Sequence, residues 1–106
     1  DETNKWYAYT NPALIAQAAT DSAFHIMTCS YNGASSTMRI DGTAAAAALD
    51  TGDVTSDTFH VGATSAAAAP LAGDIGEILV YTGAHTAAQI TAVEQYLAGK
   101  WAITLA

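Results

Sequence analysis

Two segments in the middle of this chain alternate apolar and polar residues, and this pattern limits the possible folds more than any other. Residues 24–31 and 37–41 place apolar side chains with a period of two, the spacing of a β-strand that is buried on one face. In the second segment, Met38 and Ile40 are predicted to point inward and Arg39 outward. A short loop with Asn32-Gly33 separates the two segments, so the sequence predicts a β-hairpin.

Further strand signals stand on both sides of this hairpin. Asp41-Gly42 is a second hairpin-turn signal, which predicts a returning strand over residues 43–49. Residues 58–62 form another short strand pattern, and residues 5–10 have the aromatic composition of a strand. The apolar residues 13–19 fit a short helix or a strand, and the sequence leaves both open.

Residues 74–81 carry the strongest strand pattern in the chain. The near-continuous apolar run Ile78–Tyr81 predicts a strand that is buried on both faces. Gly76 within it marks a place where another group packs closely against the backbone.

The last segment is the one clear helix pattern. Thr86 and Gln89 match a capping box, in which each side chain satisfies a free backbone N–H of the other residue. Ile90, Val93 and Leu97 then form an apolar stripe, whereas Glu94 is predicted to face water. With Gly99 as the stop signal, we predict one C-terminal α-helix over about 86–98.

Length and charge restrict the class of protein further. A chain of 106 residues allows one domain, and 51% hydrophobic with 12% charged residues predicts a folded one. The formal charge of −7 argues against binding to nucleic acid or to anionic membranes, which both require Lys and Arg. No apolar run approaches the length that spans a bilayer. Because the chain begins at Asp1, we interpret it as a mature or excised piece.

Several of these segments together resemble a known family. Residues 73–81, a short turn, the helix from Thr86 and Lys100-Trp101 are similar to the C-terminal signature of laminin-G-like jelly rolls. Those domains belong to the concanavalin A-like lectin/glucanase superfamily, and the central hairpin and residues 59–62 match its pattern as well. The resemblance covers residues 24–103. It implies a mainly β fold, an antiparallel β-sandwich (jelly roll) with one C-terminal helix, as a single domain over 1–106.

The resemblance also implies an incomplete sandwich. Members of the family commonly have several strands before the segment that matches Phe24, and here only 23 residues precede it. A sandwich without those strands would expose sheet edges and an apolar face, both of which promote association. We therefore expect another protein chain or a homo-oligomer as the partner.

Carboxylates and histidines give little support for an enzyme. The glucanase branch of the superfamily uses carboxylates close together on one strand, but Glu2, Glu77 and Glu94 lie far apart in sequence. We interpret Glu77 as a structural carboxylate that accepts hydrogen bonds from the backbone or from Arg39. The histidines, which show no metal-binding or triad spacing, are interpreted as strand or loop residues: His25, His60 and His85. Cys29 is interpreted as a small buried apolar residue. We predict no catalytic residue.

Two other groups are candidates for binding. Asp50, Asp53 and Asp57 fall in a polar loop whose oxygens suit calcium, although the spacing is not that of an EF-hand and an ordinary solvated turn has the same composition. No other cofactor is expected. The aromatic residues Trp6 and Tyr7, with Tyr9, could stack on a sugar or on another protein. The alternative is that they form the sandwich core or a subunit contact.

The functional prediction follows from these observations and from the resemblance. We expect a non-catalytic structural or assembly module, such as a decoration or surface protein of a virion or an extracellular particle. A carbohydrate-binding adhesion module is the alternative, and a glycoside hydrolase is the third class. Sparse lysine and an uncharged surface rich in Ser and Thr suggest an extracellular or particle-surface location. Tyr96 and Trp101 are expected to pack the helix on the sheet.

Overall fold

The computed structural model describes residues 5–9, 14–19, 22–32, 35–44, 61, 71–83 and 85–106, and in the first two of these ranges it describes the backbone. This part of the chain contains five strands followed by one helix. In chain order they are β1 (Lys5–Tyr9), β2 (Leu14–Ala19), β3 (Met27–Ser30), β4 (Thr37–Ile40), β5 (Thr43–Ala44) and α1 (Ala87–Trp101).

The N-terminal strands form a two-stranded antiparallel sheet. β1 pairs with β2 so that Tyr7 lies opposite Ala16 and Tyr9 opposite Leu14, with an irregularity between Lys5 and Trp6. The predicted strand over 5–10 is thus confirmed over Lys5–Tyr9. The segment that the sequence left open between helix and strand is a strand, because β1 supplies the backbone partners that a strand requires.

The central hairpin is confirmed, and it is shorter than predicted. β3 pairs antiparallel with β4 from Met27 opposite Ile40 to Ser30 opposite Thr37. β3 begins at Met27 instead of Phe24 because β4 ends at Ile40. The chain turns after Ile40, and residues 24–26 therefore have no partner residue in β4.

A tight turn brings the chain back along β4. Asp41 and Gly42 both have positive φ, 50° and 85°, as a two-residue hairpin turn of the I′ type requires. Thr43 then pairs with Ile40, and Ala44 with Arg39. The predicted third strand is confirmed over Thr43–Ala44, and its residues 45–49 lie outside the described residues. Of the predicted strand 58–62 the structure describes Val61, which is exposed and lies in no strand.

The helix is confirmed, together with its predicted cap. Thr86 Oγ1 accepts from the Gln89 backbone N–H at 3.2 Å, and Gln89 Oε1 accepts from the Thr86 N–H at 2.8 Å. The helix continues through Gly99 to Trp101, three residues beyond the predicted end. A glycine ends a helix when it adopts the left-handed conformation. In this helix Gly99 stays helical, and Ala102 adopts the left-handed conformation with φ 53°.

α1 contacts one face of the three-stranded sheet. Thr28 and Arg39 are register partners on β3 and β4, and both donate hydrogen bonds to Glu94 of the helix. Further along, the Trp101 ring lies 6.0 Å from that of Phe24. The helix therefore runs opposite in direction to β3. Arg39, predicted to point outward, is turned toward the helix.

The buried apolar side chains of the described region lie close to this sheet. They are Ile26, Met38 and Ile40, with exposed fractions of 5%, 1% and 6%. Met38 and Ile40 alternate with Arg39 and so point away from the helix, which confirms their predicted inward direction. β4 is the central strand of its sheet, and β2 approaches it in space.

Residues 74–81 contradict the prediction of a doubly buried strand. The structure has neither helix nor strand over residues 71–83, and the apolar side chains there are exposed. A strand forms only where a neighbouring strand supplies backbone partners. The described strands form the sheets β1-β2 and β3-β4-β5, and none of these strands pairs with residues 74–81. Residues 74–81 instead lie against the end of α1.

No helix in the described ranges has both the length and the apolar character that crossing a membrane would require.

Candidate functional site

Residues 71–83, here called the strap, place a row of large apolar side chains in solvent. Val80 is the most exposed of them, at 68%. The other members of this row are exposed by 40–53%: Leu71, Ile75, Ile78, Leu79 and Tyr81. Scattered apolar residues are normal on protein surfaces, whereas large exposed apolar patches are typical of interaction sites.

One carboxylate anchors the strap to the helix. Glu77 Oε1 accepts from Trp101 Nε1 at 3.0 Å and pairs with Lys100 Nζ at 2.9 Å, and its Oε2 accepts from Tyr96 O–H at 3.1 Å. The three donors lie within the last two turns of α1, where Tyr96 and Lys100, four residues apart, share a face. Glu77 is a structural carboxylate, as predicted. Its donors come from the helix, however, whereas the prediction named the backbone or Arg39.

The charges of this anchor reinforce each other. The hydrogen bond from Lys100, followed by that from Trp101, holds the pKa of the Glu77 carboxyl below its usual value. In return, Glu77 and then Tyr96 raise the pKa of the Lys100 ammonium. Lys100 also lies 5.7 Å from the ring centroids of Tyr96 and Trp101. The pair is therefore fully ionised at neutral pH.

Gly76 lets the strap approach Trp101 closely. A Cβ atom at position 76 would lie 2.9 Å from Trp101 Cη2 and 3.0 Å from Cζ2, closer than carbon atoms can pack. This contact confirms the predicted close approach at Gly76. Trp101 is consequently held between Phe24 on one side and the strap on the other, as expected of a residue that packs the helix. Tyr96, predicted to pack the helix too, is 51% exposed, and its hydroxyl contacts the strap.

Glu94 corrects a prediction, because it is 1% exposed instead of facing water. Its Oε2 accepts from Thr28 Oγ1 at 2.9 Å and from Arg39 Nε at 3.0 Å, and its Oε1 accepts from Arg39 Nη2 at 2.9 Å. The sequence did contain a signal for this position. Residue 94 lies four after Ile90 and three before Leu97, so it shares their helix face.

His25 and Asp41 form a second polar contact that the sequence did not reveal. His25 Nδ1 lies 2.6 Å from Asp41 Oδ2, and Asp41 Oδ1 accepts from the Ile26 N–H at 2.9 Å. The Asp41 backbone also donates to Ile26 O and accepts from the Ala106 N–H, each at 2.9 Å. Asp41 therefore joins the start of β3, the turn after β4 and the C-terminal residues. Its contacts describe a structural role.

Cys29 is a free, partly buried thiol. Burial raises its pKa, which keeps it protonated and unreactive at neutral pH. Burial likewise raises the pKa of the neighbouring Tyr31. These directions agree with the interpretation of Cys29 as an apolar packing residue.

The residues predicted to bind ligands are only partly described. Trp6, Tyr7 and Tyr9 lie on β1 at register positions opposite Gln17, Ala16 and Leu14, and their role stays a prediction. His85 is partly buried, with its ring 4.7 Å from that of Tyr81. The predicted calcium ligands and one histidine lie outside the described residues: Asp50, Asp53, Asp57 and His60. Within the described ranges, no three His, Cys, Asp or Glu side chains converge as metal ligands would.

Comparison with known proteins identifies the family. The model of the laminin-G-like family Laminin_G_3, described as concanavalin A-like lectin/glucanases superfamily, matches residues 1–91. The chain therefore belongs to this family, and the resemblance inferred from sequence is confirmed. The match includes the β1–β2 hairpin, which the resemblance did not cover, and ends within α1. Neither a curated protein nor a solved structure matches the chain.

Proposed function

We propose that this chain is a non-catalytic β-sandwich module that works by assembling with copies of itself. The observation that carries the proposal is the strap, which holds six large apolar side chains in solvent. Its main chain has strand-forming residues and lies in no sheet of the described structure. Such a segment can pair with the same segment of a second copy about a two-fold axis, because each copy offers the other an equal surface.

The wider role proposed is that of a structural protein, such as a decoration or surface protein of a virion or an extracellular particle. Membership of the laminin-G-like family supports a jelly roll spanning residues 1–106 as one domain, completed or covered by neighbouring chains. Glu77 and Glu94 are both engaged by donors from neighbouring elements, which supports a structural role for these two carboxylates.

The energetics of burial make the strap a suitable contact. Burying one exposed Val, Leu or Ile side chain contributes about 1.5–3 kcal/mol. Only part of that gain remains after the entropic cost of association, so several such residues are needed together. The strap offers them in one continuous stretch.

A substitution at the most exposed position tests the proposal. Sedimentation velocity over roughly 1–100 µM should show the wild-type chain as an oligomer, and Val80→Asp should weaken the association at least about tenfold. Because Val80 is 68% exposed, the change costs the isolated chain little. Thr91→Asp, at an exposed position on the helix, adds the same charge away from the strap and should associate like the wild type. A wild-type chain that stays monomeric, or equal loss in both variants, would contradict the proposal.

Carbohydrate binding is the second candidate, and the description of the superfamily as lectins and glucanases favours it. In that case Trp6, Tyr7 and Tyr9 would supply the stacking surface. A glycan array would show specific signals that Trp6→Ala or Tyr9→Ala abolishes while Val80→Asp leaves them unchanged. Glycan signals of this kind from a monomeric chain would replace the assembly role.

A further inference from the structure

We infer that Glu77 is an acid-sensitive latch, whose ionised carboxylate holds the strap on the end of α1 and whose protonation releases it. The inference rests on the proposed function only in that the segment released by acid is also the surface proposed for assembly. The latch itself is a property of the single chain. It can be tested whether or not the chain assembles.

The geometry carries the inference. Glu77 accepts three hydrogen bonds from residues in the last two turns of α1, at 2.9–3.1 Å. On either side of it the strap places its apolar residues in solvent, and the other close contact with the helix is the packing of Gly76 on Trp101. Within the described residues, the strap is held on the helix end by the adjacent Gly76 and Glu77 near its middle. Loss of the Glu77 charge removes the ion pair and weakens both other hydrogen bonds.

Glu77 is the strap carboxylate that contacts the helix end, where Lys100, Tyr96 and Trp101 face it. Asp74 is the other carboxylate of the strap, and His85 lies beside the strap with its ring 4.7 Å from that of Tyr81. On the far side of Trp101 the packed residue is Phe24, and the neighbouring His25 is turned to Asp41.

The direction of the pH response follows from the pKa shift. The pKa of Glu77 is lowered in the folded chain, chiefly by Lys100. The stabilisation is complete above the ordinary glutamate pKa and is lost as pH falls through the lowered value. Release is thus expected below the usual range of a glutamate, and it depends on Lys100.

Trp101 reports directly on the latch. In a Trp6→Phe background Trp101 is the remaining tryptophan, and its emission should shift to the red in one acid step as the strap leaves its ring. Glu77→Gln should show the shifted emission already at neutral pH, with no acid step. Lys100→Gln should retain the step with its midpoint moved to higher pH. Asp74→Asn, the matched control, neutralises the other strap carboxylate and should behave like the background.

Several outcomes would overturn the latch. A step that persists in Glu77→Gln would do so, as would a midpoint that Lys100→Gln leaves in place. Far-UV circular dichroism must keep its helical signal through the step, and loss of helix in the same step would mean global unfolding instead. Association at neutral pH, measured with the Val80→Asp variant, is a separate readout. A monomeric chain with a normal Trp101 step would refute the assembly function and leave the latch standing.

Discussion

Single side chains connect the helix to the sheet, and Glu94 provides three of the described hydrogen bonds between them. It is 1% exposed and accepts three hydrogen bonds, two from Arg39 and one from Thr28. A carboxylate is stable at such a depth only when it is paired, because burial of an uncompensated charge costs several kcal/mol. The pair therefore fixes where α1 sits on the sheet.

The two partners differ in exposure, so their substitutions should differ in cost. The Arg39 side chain is 26% exposed, and water can solvate it when Glu94 is replaced. We expect Arg39→Met to lower the free energy of unfolding by about 3–5 kcal/mol, because it leaves the buried Glu94 carboxylate without its opposite charge and with the Thr28 hydroxyl as its remaining described donor. Glu94→Leu should cost less, and the double variant should recover much of the Arg39→Met loss. Urea unfolding measures all three. Equal costs for the single variants would contradict this assignment.

At the scale of elements, the contacts that matter lie where irregular chain meets the end of α1. The capping box and the left-handed Ala102 set the two ends of the helix, and the strap crosses its last turns through Gly76 and Glu77. Residues 71–83 have a strand-like sequence without a strand neighbour in the described structure. Their position therefore depends on side-chain contacts with the helix instead of a backbone ladder.

Gly76 provides a test of this contact between elements. Gly76→Ala would place a Cβ 2.9 Å from Trp101 Cη2, so either the strap or the indole must move. We expect a loss of about 1–3 kcal/mol in the free energy of unfolding, as for other overpacked sites, with a change in Trp101 emission. Gly73→Ala is the matched control, since its Cβ would meet Leu71 at an ordinary 3.9 Å. Similar behaviour of the two variants would show that the contact is absent in solution.

At the scale of the whole molecule, charge opposes the proposed self-assembly while apolar surface favours it. The chain carries ten acidic and three basic residues, and in the described structure Arg39 and Lys100 are already paired with Glu94 and Glu77. Two copies brought together therefore repel each other, and salt screens that repulsion.

This balance predicts how association depends on ionic strength. Raising the salt from about 0.02 M to about 0.2 M shortens the Debye length severalfold, so self-association should become stronger. Sedimentation equilibrium at the two concentrations measures the change, with Thr91→Asp expected to show a slightly steeper response. Weaker association at higher salt would point to contacts between opposite charges and would contradict a homo-oligomer built on the strap.

Local sequence patterns were sufficient to predict most of the described elements and the family. The β3–β4 hairpin, the Asp41-Gly42 turn, the Thr86 cap and the close approach at Gly76 depend on residues that are near in the chain or on the conformational limits of one residue. Hydrophobic periodicity and the residue types of turns therefore predict these features from the sequence. The sequence did not decide between helix and strand for Leu14–Ala19, and pairing with the neighbouring β1 makes this segment a strand.

The remaining features could not be predicted from local patterns, because each of them depends on what lies opposite a residue in space. Glu94 is polar by composition, and its burial follows from Arg39 and Thr28, which lie 55 and 66 residues away in sequence. Residues 74–81 have the sequence of a buried strand, and no described strand pairs with them. They lie instead on the helix end, through donors that no local pattern reveals. Burial and strand pairing each require two segments that meet in space, and a local sequence pattern describes only one of those segments.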